Sequence, residues 1–392
     1  AKTGADYTVI GDPYFRGGVL TKYLTSRGIG QWRQEIDLDN SNFALRSAPT
    51  VRELVRQDIL LEPTGGRQLF SVFPAYAMSE THPEIQLTPR TRKLVRSGAR
   101  VRQLRDEYRY SLVTSAFRFG TQADVMSHSN RMETDAKKRL MERMIRRMRF
   151  VDNRSAFPKL IALADEIVKQ ETPEANNYEK AKALEQHFLE EEEYTYSLNF
   201  DEINARRQPG VDAVEDFVSN HRTGHCEYFA SALTLMLRSQ GIPARMIVGY
   251  RGGEYNYVGN YFLVRQKHAH AWVEAYLSPE EIPEGSLDGA EMHPGGGWLR
   301  LDPTPGRDDA MQIVRPGVFD RVSKSFDYAQ WLWNDYVLRL SPERQRSSLM
   351  SSWGFDEMLG FEDLTAEGDW QKWISQLAGL GDSETIKEGF SW

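Results

Sequence analysis

The spacing of apolar residues changes period in the second half of the chain. Phe229, Leu233, Met236 and Leu237 recur at three- and four-residue intervals, which predicts a helix starting near Cys226 with an inward face. Gly241 follows it, at the place where a helix commonly needs a left-handed residue to stop. Residues 244–250, 257–266, 270–277 and 298–302 then read as strands, with a long Pro-, Glu- and Gly-rich excursion over 278–297. Upstream, 158–171 and 178–192 have helical periodicity. Pro158 suits a first helical position, and Asn176 or Asn177 suits a cap. A further helix is expected over 211–219. Helices followed by a run of strands predict an α+β fold, with the cysteine helix packed on an antiparallel sheet.

The remaining thirds have other patterns. Residues 1 to about 125 are mostly strand-like: 51–61 and 68–73 flank the turn signal Pro63-Thr64-Gly65-Gly66, and 107–113 alternates. From 133 to 150 the pattern is helical, with Met141, Met144, Ile145 and Met148 on one face and seven Lys and Arg residues elsewhere. That helix is read as solvated and packed on a neighbour, with contact to an anionic surface as the alternative. Three parts follow: a small, mostly β domain at 1–130, a core with its preceding helices at 131–310, and a helical, Trp-rich tail at 311–392.

Six of the nine tryptophans fall in residues 331–392. Nine acidic residues against Lys372 and Lys387 in 351–392 account for the whole net charge of -7 across 392 residues. The rest is balanced, which excludes a basic nucleic-acid footprint at the scale of the chain. No apolar run reaches membrane-spanning length. A start at Ala1 without a signal peptide predicts a processed protein or a piece of a longer one.

Candidate chemistry centres on Cys226, the single cysteine, which has no intramolecular disulfide partner. A lone cysteine is ordinarily a small apolar residue. At a helix start, however, unpaired N–H groups and the helix dipole stabilise a thiolate, and Gly224 permits close backbone approach. Eight histidines compete for the role of base. His268, His270, Trp272, Glu274 and Tyr276 share one strand face, opposite Ala271, Val273, Ala275 and Leu277. His270, inside the strand, is the better-held candidate. Asp302, before Pro303, is the candidate acceptor that would orient it.

The segments Thr223-Gly224-His225-Cys226-Glu227-Tyr228-Phe229, Gly241-Ile242-Pro243-Ala244-Arg245, Ala269-His270-Ala271-Trp272-Val273-Glu274 and Trp298-Leu299-Arg300-Leu301-Asp302-Pro303-Thr304 resemble, in order, the core of the transglutaminase-like superfamily. The likeness is strong over 155–305. It implies a papain-like, transglutaminase-like core in which Cys226 is nucleophile, His270 general base and acid, and Asp302 orienter. It also implies an upstream aromatic residue that helps bind the oxyanion, here Tyr194 or Tyr196. Tyr228 and Trp272 are further oxyanion or substrate candidates.

The chain is also similar in layout to the extracytoplasmic part of bacterial membrane-anchored transglutaminase-like proteins. That likeness implies a periplasmic location, a parent anchored by segments absent here, a protein or peptide substrate, and a cell-wall-linked partner. His225-Cys226-Glu227 departs from the animal enzymes' Gln-Cys-Trp. With no calcium-loop pattern, neither metal nor cofactor is expected. Acyl transfer to an amine, hydrolysis as a peptidase or deamidase, and a non-catalytic envelope binding module remain the alternatives.

Overall fold

The computed structural model describes residues 9–305 except 27, 34–42, 49–52, 79–82, 89–90, 128–134, 172–173, 191–192, 257–258, 260 and 286–294. The expected Trp-rich tail lies outside them, as do His82, His128 and His293. The fold is α+β, and its centre is an antiparallel sheet. In chain order the strands are β1 (Tyr14–Leu20), β2 (Ser71–Val72), β3 (Val125–Ser127), β4 (Ala244–Arg251), β5 (Ala269–Leu277) and β6 (Gly297–Leu301). They lie side by side in the order β3-β6-β5-β4-β1-β2. The longer helices are α1 (Asp135–Arg147), α2 (Pro158–Gln170), α3 (Asn177–Glu190) and α4 (Cys226–Ser239).

Alternation along β4 and β5 decides what each sheet face meets. Met246, Val248, Ala271, Val273, Ala275 and Leu277 enter one core with Phe229, Leu233, Met236 and Leu237 of α4 and with Leu160, Leu184 and Phe188. Complete burial of a leucine contributes about 2 kcal/mol, so this face rather than helix propensity holds α4 against the sheet. Gly241 ends the turn after α4 at φ 77°, as its position predicted. Buried Arg238 donates to the carbonyls of Ala244 and Thr21, fastening the end of α4 to the strands.

The helix starts follow from local chemistry. Asn176 caps α3: its Oδ1 accepts from the backbone of Tyr178 and Glu179, and Asn176 N donates to Glu179 Oε2. Pro158 opens α2, and the next two N–H groups, of Lys159 and Leu160, donate to Glu215. The helix expected over 211–219 is shorter. It runs Ala213–Asp216, then widens into a π turn, Phe217–His221, that closes on left-handed Arg222 (φ 47°). Arg222 N reaches Phe217 O, five residues back, and the reversal delivers the chain to Cys226. The strand expected over 257–266 is also shorter, Tyr261–Leu263 paired with Glu254–Asn256, because Gln266–His268 forms a 3-10 turn.

In the N-terminal segment, Val55–Leu61, Tyr108–Thr114 and Ala75–Tyr76 make a three-stranded sheet over Leu69, Phe73, Ile85, Leu94, Tyr110 and Leu112. The two ends of that segment, β1 and β3, run in the central sheet. The Lys22–Ser26/Ile29–Arg33 hairpin sends Trp32 to α4, where its indole N–H donates to Ser231. Among the described residues no helix is long and apolar enough to cross a membrane.

Candidate active site

Chain direction sets His270 beside Asp302 and packs α4, which opens with Cys226, against the strand that carries His270. The 14 residues of α4 carry the chain about 21 Å away from Cys226. β4 returns over a similar distance, to Tyr250, which pairs with Ala269 at the start of β5. β6 runs opposite to β5 and pairs Leu301 with Val273, so Asp302 arrives beside His270.

His270 is buried, and its Nε2 lies 2.7 Å from Asp302 Oδ2. The ring packs against both Trp272, nearly parallel at 6.2 Å, and Tyr14, tilted at 6.2 Å, which meet each other at 5.2 Å. Opposite it on β4 is Gly249. A Cβ there would lie 2.1 Å from Phe15 O and 2.8 Å from the Trp272 ring, so only glycine lets β1 close on this part of the sheet.

Asp302 is held at both carboxylate oxygens and at its N–H. Its Oδ2 also accepts from Tyr14 Oη at 2.7 Å and Arg251 at 3.3 Å. Oδ1 accepts from Thr304 N, and its own N–H donates to Glu185 Oε1 at 2.6 Å. Burial opposes ionisation of Asp302, but His270, Arg251 and the Tyr14 hydroxyl outweigh it and hold the carboxyl well below the usual range. Glu185 is pushed up by burial, against the opposing pull of Lys182 at 2.6 Å.

Cys226 is half-buried at the first position of α4, after the extended residue His225. Burial drives the His225 ring down to about 4, so it is neutral at physiological pH. Half-buried Glu227 is pushed by burial up to about 7. The loop before Cys226 is fixed by a short parallel pairing, Thr195 with Thr223 and Tyr196 with Gly224, and Ser197 N donates to Gly224 O.

The aromatic candidates separate. Tyr194 is buried among His187, Phe188, Phe217 and Phe229. Tyr196, half-buried, lies beside the cysteine loop. Tyr228 packs against His221, His225 and Phe217. Trp272 is 1% exposed and touches Tyr14 and Ile247, so it supports His270 from inside the core rather than presenting a surface to a substrate. His268 sits in the turn before β5, not on the strand, and its Nδ1 accepts from Arg265 N. His221 lies 3.7 Å from Asp216 and accepts from Thr223 N.

Two features have no signal in the sequence pattern. One is Tyr14, 288 residues from the carboxylate it binds. The other explains the polar face of β5. Glu274, fully buried, accepts from Arg16 Nε at 2.9 Å and Arg245 at 2.7 Å. Burial raises its affinity for a proton, and the two guanidinium groups reverse that and keep it ionised. Arg245 also lies over the Trp298 ring at 3.6 Å.

With this geometry in place, comparison with known proteins is informative. Residues 161–303 match the family described as the transglutaminase-like superfamily. The chain is 34% identical over 236 residues, 59% of its length and 29% of the relative's, to the protein-glutamine gamma-glutamyltransferase of Pseudomonas aeruginosa. It is 33% identical over 143 residues, 36% of its length and 17% of the relative's, to the uncharacterized protein YebA of Bacillus subtilis. The matched part thus spans less than a third of either relative. Among solved structures it is similar to the periplasmic domain of TgpA from Pseudomonas aeruginosa, at 22% identity and a TM-score of 0.48, covering 83% of this chain and 94% of that one.

Proposed function

We propose that this chain, whose residues 161–303 match the transglutaminase-like superfamily, performs cysteine-dependent acyl transfer on peptide or glutamine amides. The observation that carries the proposal is the 2.7 Å His270–Asp302 hydrogen bond, on the sheet against which α4, opening with Cys226, packs.

In the proposed reaction Cys226 and His270 form a thiolate–imidazolium pair, and the sulfur attacks the amide carbon. Asp302 binds Nε2, which leaves Nδ1 as the ring nitrogen that exchanges protons at the reaction centre. The tetrahedral oxyanion is held by N–H groups at the start of α4 and by Tyr196. Tyr196 is favoured over Tyr194 because its backbone pairs with Gly224, whereas Tyr194 lies inside the core. His270 protonates the departing nitrogen, the C–N bond breaks, and a thioester on Cys226 remains. A primary amine then gives a new amide and free thiol, and water gives the carboxylate. The site of action proposed is the bacterial cell envelope, as the sequence resemblance implies, with the chain as part of a membrane-anchored parent.

Incubation with a glutamine peptide and a labelled primary amine, followed by mass analysis, tests this. Amine incorporation is the expected product. A gain of one mass unit would identify a deamidase, and chain cleavage a peptidase. Cys226→Ala is expected to abolish all turnover, and undiminished turnover in that variant would refute the nucleophile. In the same assay Tyr196→Phe should lower turnover about 100- to 1,000-fold, whereas Tyr194→Phe should chiefly lower stability.

A further inference from the structure

We infer that Tyr14 is a positioning residue for the His270–Asp302 pair, its hydroxyl fixing the carboxylate rotamer that orients the imidazole. The inference rests on the acyl-transfer proposal above. Its basis is a crowded oxygen: Asp302 Oδ2 takes His270 Nε2 at 2.7 Å, Tyr14 Oη at 2.7 Å and Arg251 at 3.3 Å. Rotating the carboxylate breaks all three contacts together, so each added donor stiffens the partner that His270 needs.

Tyr14 is itself well fixed. Its N–H donates to Gln122 Oε1, its ring meets Trp272 edge-on at 5.2 Å, and Arg300 lies 4.4 Å over it. Burial, and then the Asp302 charge, push its phenol far above the ordinary value. The hydroxyl is therefore a donor to Asp302 across the physiological range.

The charged and titratable groups around the pair come from four sides. Among the described residues they are Tyr14 on β1 with Asp12 before it, Arg251 on β4, Arg300 on β6, and Glu185 with Lys182 on α3. Asp12 pairs with Arg251 at 3.5 Å, and Lys182 pairs with Glu185. Removing a donor from Oδ2 leaves more negative charge to stabilise the imidazolium while loosening the carboxylate. The predicted signature of Tyr14→Phe is therefore double: slower turnover, and an imidazolium that loses its proton at higher pH.

Cys226 is the only cysteine, so its alkylation by iodoacetamide reports the thiolate–imidazolium pair without knowledge of the substrate. In the wild-type chain, alkylation should remain fast well below the free-thiol pKa of about 8.5. Tyr14→Phe keeps the ring packing. It should cut amide turnover about tenfold and move the upper inflection of the alkylation profile up by about half a unit. Incorporating 3-fluorotyrosine at position 14, a stronger donor of nearly the same shape, should move that inflection down. A wild-type profile like that of a free thiol would overturn both the acyl-transfer proposal and this inference. An early wild-type profile that neither Tyr14 variant displaces would overturn the positioning role alone, even if the melting temperature fell, because packing by itself predicts that result.

Discussion

Both neighbours of Cys226 in the chain are titratable, and burial drives both toward neutrality. His225 falls to about 4 and Glu227 rises to about 7. Charged Glu227 in the first turn would favour the helix dipole, but desolvation wins. A carboxyl whose folded pKa is raised binds more protons in the folded than in the unfolded state between about pH 4.3 and about 7. Stability from this group is therefore fully present below the unfolded pKa and declines as pH rises through that window. Glu227→Gln should match the wild type below about pH 4.3 and exceed it above pH 7, with the gap opening between. Thermal melts of both proteins from pH 4 to 8 measure this, and a gap independent of pH would mean that Glu227 is not desolvated. At this scale Cys226, His270 and Asp302 could be named as candidates because each sits in a short segment with its own local pattern. Tyr14 was not, since no local feature marks a tyrosine whose partner is 288 residues away.

Strand β5 illustrates what periodicity can and cannot give. Its alternation correctly separated Ala271, Val273, Ala275 and Leu277, which face α4, from His270, Trp272 and Glu274. It could not say that the polar face is as buried as the apolar one, because the cover comes from Arg16, 258 residues away, and from Arg245 on the neighbouring strand. Burying a carboxylate is unfavourable unless it is paired, and here two guanidinium groups pair it. Glu274→Gln preserves shape but leaves both arginines without their counter-charge. The expected loss is about 3–5 kcal/mol, the range for breaking a buried pair by removing one partner. The urea midpoint should fall with little change in slope. A loss below 1 kcal/mol would mean that water already reaches the arginines. The π turn at Phe217–His221 was also illegible, since 211–219 carries an ordinary helical pattern and the widening shows only in the Arg222-to-Phe217 bond.

For the whole molecule the decisive fact is where β1 lies. The sequence divides naturally at about residue 130, where a basic helix follows a strand-rich stretch, and a catalytic unit of 131–310 is the resulting expectation. In the fold, β1 pairs with β4 from Tyr14 opposite Arg251 to Leu20 opposite Met246. It places Val19 in the core with Ile247 and Trp272, sends Arg16 to Glu274, and sends Tyr14 to Asp302. A fragment of residues 131–310 would therefore expose the β4 edge, uncover Trp272, and leave Glu274 and Asp302 each without one partner. These losses fall on one sheet and act together, and their sum is comparable to the total stability of an ordinary domain, about 5–15 kcal/mol. We predict that the 131–310 fragment gives no cooperative thermal transition and no amide turnover, whereas a chain of residues 1–310 gives both. Calorimetry and the amine-incorporation assay on the two fragments make the comparison. A cooperative, active 131–310 fragment would show that β1 is an accessory of the site; an inactive but folded one would place its contribution at Tyr14 rather than in the sheet.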